Sequence, residues 1–359
     1  MYYYQRDGLI LQINLKSLCN LDCDYCLLPK HVKSQKESDS VIIDNAKILV
    51  KKIKEENNII KAFAVFGAEP FTVGPDIMAG VLNIIAEEFP NVYLKIQTNG
   101  TLSNKAYIDK FISQITFDEY RLLIGFSIDG VKDIHNKHRC DSWDVAMKNL
   151  MYIKEETGIR TNVICTTNIE HFDGGKYEAE LIHFVNFMQD VWDTDVTISY
   201  ADLTIRGVSE THIGESEFSK KFADFLIDNG FIKNCVKLFK DGYCYRKGNA
   251  CDKTLVDLNQ GKTYQCEKEF NPDKEFILWK DHTIAETMTA RAARTANYPI
   301  AEECHSCEYE AWCNGGCPLK RDKNGLAKSC YVTKAVLGHI KEHVNEDWAG
   351  WLRGEYDGK

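Results

Sequence analysis

Cys19, Cys23 and Cys26 fall in the run CNLDCDYC, a Cys-x3-Cys-x2-Cys spacing directly after an apolar stretch. Three thiolates so spaced can hold three corners of a cubane iron–sulfur cluster, in which each iron takes one cysteine. The fourth iron is then left without a protein ligand and is open to a reactive molecule. The competing use is zinc, which closes its shell with four ligands, and His31 is the nearest further candidate. Fourteen cysteines is a high count for a chain whose start, MYYYQRDGLI, has no basic-then-apolar secretory pattern. Such cysteines bind metal or stay reduced rather than forming disulfides. Only Cys140 and Cys165 lie between the opening triplet and Cys235, whereas nine fall from Cys235 to Cys330.

Polar residues recur where short β-rich runs end. Phe66-Gly67-Ala68-Glu69-Pro70 follows one run, and Gln97-Thr98-Asn99-Gly100 ends the next. A third closes on Ser127-Ile128-Asp129-Gly130, with His135 and Arg139 beyond it. Short polar groups at consecutive strand ends suit hydrogen bonding to a ribose and an amino-acid carboxylate. Toward the C-terminus Cys251, Gly261 and Cys266 read Cys-x9-Gly-x4-Cys. Cys304, Cys307, Cys313 and Cys317 then read Cys-x2-Cys-x5-Cys-x3-Cys, with Cys330 after a further twelve residues. A structural zinc ribbon is the plain alternative for this module.

Together these motifs resemble the radical S-adenosylmethionine (SAM) enzymes, in particular the peptide-modifying branch with a C-terminal SPASM extension. The resemblance implies a 4Fe–4S cluster on Cys19, Cys23 and Cys26, with SAM on its open iron. It puts Tyr25 near the adenine, Gly67 and Glu69 at the SAM ammonium, and Ser127 near SAM, beside Thr98, Asn99 and Asp129. Ala68 stands where the family has a second glycine. Arg139 is expected either to pair with the SAM carboxylate or to brace its own loop. Two auxiliary 4Fe–4S clusters are implied, one on Cys244, Cys251, Cys266 and Cys317, the other on Cys304, Cys307, Cys313 and Cys330. Cys235 rivals Cys244 for the eighth place. Glu267, where sulfatase maturases carry an aspartate, is the candidate base, against a plain solvated glutamate. Cys140, Cys165 and Cys235 are otherwise read as buried small hydrophobes.

The implied activity is maturation of a ribosomally made precursor peptide through a 5′-deoxyadenosyl radical, ending in an oxidative cross-link. Anaerobic sulfatase maturation to formylglycine is the closest rival, although Leu27 and Leu28 stand where that family tends to have aromatics. A small-molecule dehydrogenase and a ferredoxin-like electron carrier complete the alternatives. Leader binding falls to a separate protein or to the rim of the fold, and the reductant is of flavodoxin or ferredoxin type.

Strand candidates at 9–15, 61–66, 92–97, 121–127, 160–166 and 195–200 alternate with helix candidates at 42–56, 75–88, 104–114, 143–156 and 177–190. Ile77, Val81, Ile84 and Ile85 share one face of the second helix. Strand-then-helix repetition predicts an α/β fold with parallel strands and right-handed crossovers. Six such strands predict a partial (β/α)6 TIM-like barrel over 1–202, with its site at the C-terminal strand ends. A connecting segment (203–243, with a helix at 218–228), a SPASM domain (244–345, closing on a helix at 333–343) and a short tail (346–359) complete the expected layout.

Hydrophobic content of 44% and charged content of 27% fit a globular chain, and no apolar run of about 18 residues is present to span a bilayer. A net charge of −9 argues against a nucleic-acid partner. The expected location is the cytoplasm.

Overall fold

The computed structural model describes residues 9–26, 39–200, 217–234, 253–259, 261–264, 277–278, 281–283, 286, 299–313, 315–316, 321–327 and 330–343. The chain divides into two compact units, Met1–Ile164 with Asp252–Arg291, and Cys165–Cys251 with Ala292–Lys359.

In the first unit, strands β1 (Leu9–Asn14), β2 (Ile60–Val65), β3 (Tyr93–Thr98) and β4 (Leu122–Ser127) alternate with helices α1 (Ile42–Glu55), α2 (Pro75–Glu88) and α3 (Lys105–Ile112). Helices α4 (Lys132–His138) and α5 (Trp143–Glu156) then lead into β5 (Arg160–Thr167), which begins in this unit. Neighbouring strands from β1 to β5 pair in parallel. A seventh parallel strand, β7 (Lys253–Asp257), joins the free edge of β1, in register from Ile10↔Lys253 to Asn14↔Asp257. The short strands β8 (Lys262–Tyr264) and β9 (Ile277–Leu278) extend that edge antiparallel. With β6 (Asp195–Tyr200) beside β5, the sheet order is β6-β5-β4-β3-β2-β1-β7-β8-β9.

Side chains alternate between the two faces of a strand, and here the faces differ in kind. Leu11, Ile13, Phe63, Val65, Leu94, Ile96, Ile124 and Phe126 are fully buried. They match the apolar faces of α1 (Ile42, Leu49, Ile53) and α2 (Met78, Val81, Leu82, Ile85), which are equally buried. Each such side chain contributes about 1.5–3 kcal/mol by leaving water. The alternate positions carry Gln12, Asn14, Ala64, Gln97, Gly125, Ser127 and Asn162. One face therefore holds the core, and the small and polar residues are gathered on the other.

In the second unit the end of β5 lies beside β6, where Thr167 Oγ1 donates to Ser199 O at 2.8 Å. Helix α6 (Lys176–Asn186) runs into a single wide turn at Phe187–Val191. Helix α7 (Glu217–Asp228) packs against α8 (Cys330–His343), and Phe172 meets Phe218, Phe222 and Phe225 with ring centres 5.1–6.0 Å apart.

All six expected strands and five expected helices of the first two hundred residues are present. Helix α4 and strands β7, β8 and β9 were not anticipated. Helix α4 lies within SIDGVKDIHNKHR, and β7 lies where only a cysteine module was expected. Helix α6 also stops four residues short of its expected end, because the backbone widens at Phe187.

Candidate active site

Strand β1 delivers the three-cysteine loop at its C-terminal end. Cys23 is buried and Cys19 and Cys26 are half-buried, and all three stand outside any disulfide. The Cys26 N–H donates to Cys23 O at 3.1 Å, which folds the two cysteines into one turn. Burial pushes the Cys23 thiol up to about 12; Arg139 opposes the rise, and charges on Cys26 and Cys19 add to it. Thiolates gathered this closely repel one another unless a cationic centre is shared between them. Among the described residues no three His, Cys, Asp or Glu groups converge on a position for one metal ion. A closed zinc shell takes four ligands, whereas in a cubane each of three thiolates takes its own iron and the fourth iron stays open. His31 lies outside the described residues. The donor set therefore fits a cluster.

The turn after β2 is shaped by a close approach. Gly67 has φ of +143°, and a Cβ on it would stand 2.1 Å from Asn14 Oδ1. Asn14 is held in turn by Asp257, which accepts from its Nδ2 at 2.9 Å. Glu69 is fully buried two residues on, and its N–H donates to Leu18 O in the cysteine loop at 3.0 Å. Its carboxylate accepts from Thr98 Oγ1 (2.7 Å), Asn99 N (2.7 Å) and Phe71 N (3.1 Å). Burial raises this carboxyl to about 7, although all three donors pull it down.

Asn99 carries the network back to the cluster loop. Its Nδ2 donates to Asn20 Oδ1 at 3.0 Å and lies 3.9 Å from Cys19 Sγ. Asn20 closes the circuit by donating to Thr101 Oγ1 at 2.8 Å. At the end of β4, Ser127 Oγ accepts from Gln97 Nε2 at 3.0 Å. This crossing passes over Gly125, where a Cβ would stand 2.3 Å from Gln97 Oε1 and 2.7 Å from Asn162 Oδ1.

Asp129 is the centre of a buried ion pair. It accepts from Arg139 Nε at 2.8 Å and from the Tyr25 hydroxyl, while the Arg139 guanidinium lies 5.1 Å from the Tyr25 ring centre. Burial alone would raise the Asp129 carboxyl, but the Arg139 charge and hydrogen bond hold it below its usual range. Arg139 thus braces its own loop in this structure. His135 supports the same turn, accepting the Asp129 N–H on Nδ1 at 3.2 Å, with Nε2 3.0 Å from Ser142 Oγ. Burial pushes His135 down to about 4, so the ring is neutral and its Nδ1 can accept.

In the second unit Cys304, Cys307, Cys313 and Cys330 line one cleft of about 340 Å³, part of it open to solvent. All four are free, half-buried thiols. Burial pushes Cys313 up to about 11, with the charge of Cys330 adding. Arg321 braces the turn after Cys313, donating to Gly315 O at 2.9 Å and Gly316 O at 3.0 Å. Four thiols around one cleft fit a cubane as well.

Cys244, Cys251, Cys266, Cys317, Cys235 and Glu267 lie outside the described residues. Cys165 is fully buried as expected. Cys140 is not. It is exposed, in a turn where its φ is +56°. Asn14, Asn20, Asp257 and Arg321 were missed by sequence reasoning. The step from LILQI to Asn14 was a visible signal, since a polar residue closing an apolar strand marks the rim.

Residues 13–181 match the Radical SAM superfamily. The chain carries a radical SAM domain and is an enzyme. It is 24% identical over 335 residues to the cysteine-type anaerobic sulfatase-maturating enzyme of Clostridium perfringens strain ATCC 13124, covering 85% of this chain and 87% of that one. The serine-type anaerobic sulfatase-maturating enzyme of Klebsiella aerogenes is 21% identical, over 89% and 82%. Among solved structures, anSMEcpe with bound AdoMet and the Cp18Cys peptide superposes with a TM-score of 0.71 at 20% identity, covering 97% of this chain and all of that one. Streptococcus suis SuiB bound to precursor peptide SuiA gives 0.64 at 12% identity, over 90% and 76%. The solved structures show a shared fold, and the sequence likenesses to the sulfatase-maturating enzymes run over most of both chains. Among the described residues no helix is long and apolar enough to cross a membrane.

Proposed function

We propose that this enzyme binds SAM at the C-terminal ends of β1 to β4 and oxidises a side chain of a peptide or protein by two electrons. The observation that carries the reading is the convergence of the three-thiol loop, the Glu69 carboxylate and the Asp129–Arg139 pair within one hydrogen-bonded rim. When bound, the cluster and SAM supply a 5′-deoxyadenosyl radical that removes a hydrogen atom from an unactivated carbon. The chain's own residues position and shield. Cys19, Cys23 and Cys26 each give a thiolate to one iron. Gly67 lets the backbone approach closely, and Glu69 supplies the negative charge for the SAM ammonium. Thr98 and Asn99 orient Glu69. Ser127 presents its hydroxyl to the cofactor, and Asp129, Arg139 and Tyr25 hold the adjoining wall.

Cys304, Cys307, Cys313 and Cys330 are the ligands of one auxiliary 4Fe–4S cluster. Cys244, Cys251, Cys266 and Cys317 are assigned to another, with Cys235 the rival of Cys244. Together they complete a SPASM extension on a partial TIM-like barrel. Their role is to carry off the second electron, while a flavodoxin- or ferredoxin-type reductant supplies the first. Glu267 is assigned as the base that takes the substrate proton.

Two products remain in play. Whole-chain likeness to the sulfatase-maturating enzymes supports formylglycine. Glu267 in place of aspartate, and Leu27-Leu28 in place of aromatics, favour a cross-link in a precursor peptide. The deciding experiment is anaerobic incubation with SAM, dithionite and either of two peptides, one bearing a sulfatase-type cysteine and one encoded beside the gene. Deoxyadenosine must form with one of them. Exchange of sulfur for oxygen together with loss of two hydrogens in the first establishes formylglycine. Loss of two hydrogens with a new inter-residue bond in the second establishes cross-linking. No deoxyadenosine with either overturns the peptide reading.

A further inference from the structure

We propose that the turn His138–Asp141 is a strained latch that holds the three-cysteine loop in its ligand-bearing shape, with Cys140 as the positioning residue. The proposal rests on the reading that Cys19, Cys23 and Cys26 carry the cluster.

The turn itself is unusual. Cys140 and Asp141 are consecutive non-glycine residues with φ of +56° and +52°. Side chains crowd the backbone in this region, so it is sparsely used outside glycine and asparagine. Two in a row persist only where the surroundings over-determine them. The surroundings do so here. Asp141 N–H donates to Asn136 O at 2.9 Å, and Asn136 Oδ1 accepts from Trp143 N at 3.0 Å.

What the strain achieves is a set of contacts to the cluster loop. His138 O accepts the Asp24 N–H at 3.2 Å, and His138 Nδ1 lies 2.9 Å from the Asp24 carboxylate. Cys140 Sγ accepts the Asp22 N–H at 3.4 Å. Asp22 and Asp24 flank Cys23, the most buried of the three thiols. The peptide that follows Cys23 is therefore pinned through the Asp24 N–H, and the chain before it is held one peptide further back through the Asp22 N–H. Arg139, between the two latch residues, pairs with Asp129, and its guanidinium lies 5.1 Å from the ring centre of Tyr25 in the cluster loop. One turn thus ties the cluster loop to the ion pair at the end of β4.

Glycine at 140 would make the turn without strain, but it has no group to accept the Asp22 N–H. This explains why an exposed cysteine stands at a helix end where glycine is the usual choice. Its sulfur acts here as an acceptor rather than as buried apolar volume.

The test uses the full-length chain and three variants, Cys140→Ala, Cys140→Ser and Asp141→Gly. Amide hydrogen exchange over residues 19–26 is followed by mass spectrometry. In parallel, loss of iron to a chelator is followed in the anaerobically reconstituted protein. Cys140→Ala is expected to speed exchange in the loop and iron release several-fold. Cys140→Ser, whose oxygen also accepts, restores both in large part. Asp141→Gly relieves strain without touching a donor, so it raises the melting temperature and leaves loop exchange as in wild type. Wild-type exchange in Cys140→Ala overturns the latch. Cys140→Ser behaving like Cys140→Ala overturns the acceptor role of Cys140. A wild-type chain that holds no iron on the triplet overturns the cluster reading instead, and the exchange result still decides the latch.

Discussion

The carboxylate of Glu69 receives the backbone N–H of Asn99 at 2.7 Å, which ties the end of β2 to the end of β3 inside a fully buried site. Burial lifts this carboxyl to about 7 despite three donors. A SAM ammonium would favour its ionised form, so SAM affinity should fall as pH drops below about 7. The loss approaches about tenfold per pH unit for a single ionisation. Titration calorimetry of the reconstituted enzyme from pH 8 to 5.5 measures it. A Glu69→Gln variant should bind weakly with no such slope, and a slope that survives in the variant would remove Glu69 from the ammonium site.

The same raised carboxyl acts on stability with a definite sign. The folded state keeps the proton up to about pH 7, whereas an unfolded glutamate loses it near 4.5. The unfolded chain thus binds fewer protons between those values, and SAM-free stability should decline from pH 4.5 to 7 and level off above. Full burial puts the upper bound at roughly 3 kcal/mol. Denaturant melts of wild type and Glu69→Gln isolate this part of the slope, which should vanish in the variant.

Much of this architecture was legible in the residues. The runs LILQIN, YLKIQT and LLIGFS combine β-rich composition with polar ends, IKAFAV leads into Gly67 and Glu69, and Pro75 opens α2 where proline is tolerated. Strand β7 was hidden because KTLVD is five residues long with charge at both ends, and it gains its place from β1, over two hundred positions away. Helix α4 was hidden because its inward face is made of Ile134, His135 and His138, so no apolar period announces it. The site's residue types were readable. Their partners were not, since Asn20 with Asn99 and Asn14 with Asp257 are contacts between distant segments.

Gly67→Ala should be far costlier than a typical surface change. A methyl at that position would stand 2.1 Å from Asn14 Oδ1, and φ of +143° disfavours any side chain. Relief requires Asn14 to move off Asp257, which breaks a buried hydrogen bond. The combined cost is about 2–4 kcal/mol. Urea melts should show it with an unchanged m-value, and a loss below about 0.5 kcal/mol, the range of surface substitutions, would contradict the close approach.

Gly125→Ala tests the crossing above β4. The added methyl would lie 2.3 Å from Gln97 Oε1, so Gln97 must withdraw from Ser127. If Ser127 faces SAM, the variant should fold and keep its iron yet bind SAM several-fold more weakly. Unchanged SAM binding, with the loss confined to stability, would make the crossing structural only.

Arg321 offers the clearest test of the second thiol group. Its guanidinium spans the carbonyls of Gly315 and Gly316, and both glycines hold the left-handed backbone that leads away from Cys313. Lysine keeps the charge but loses the planar fork. Arg321→Lys should therefore loosen the turn and lower iron content by about four atoms per chain, one cubane, while the SAM-sensitive signal of the first cluster persists. Iron held at the wild-type level would show that Cys304, Cys307 and Cys330 fix the cluster without this turn. Loss of all iron would mean that the two thiol groups do not load independently.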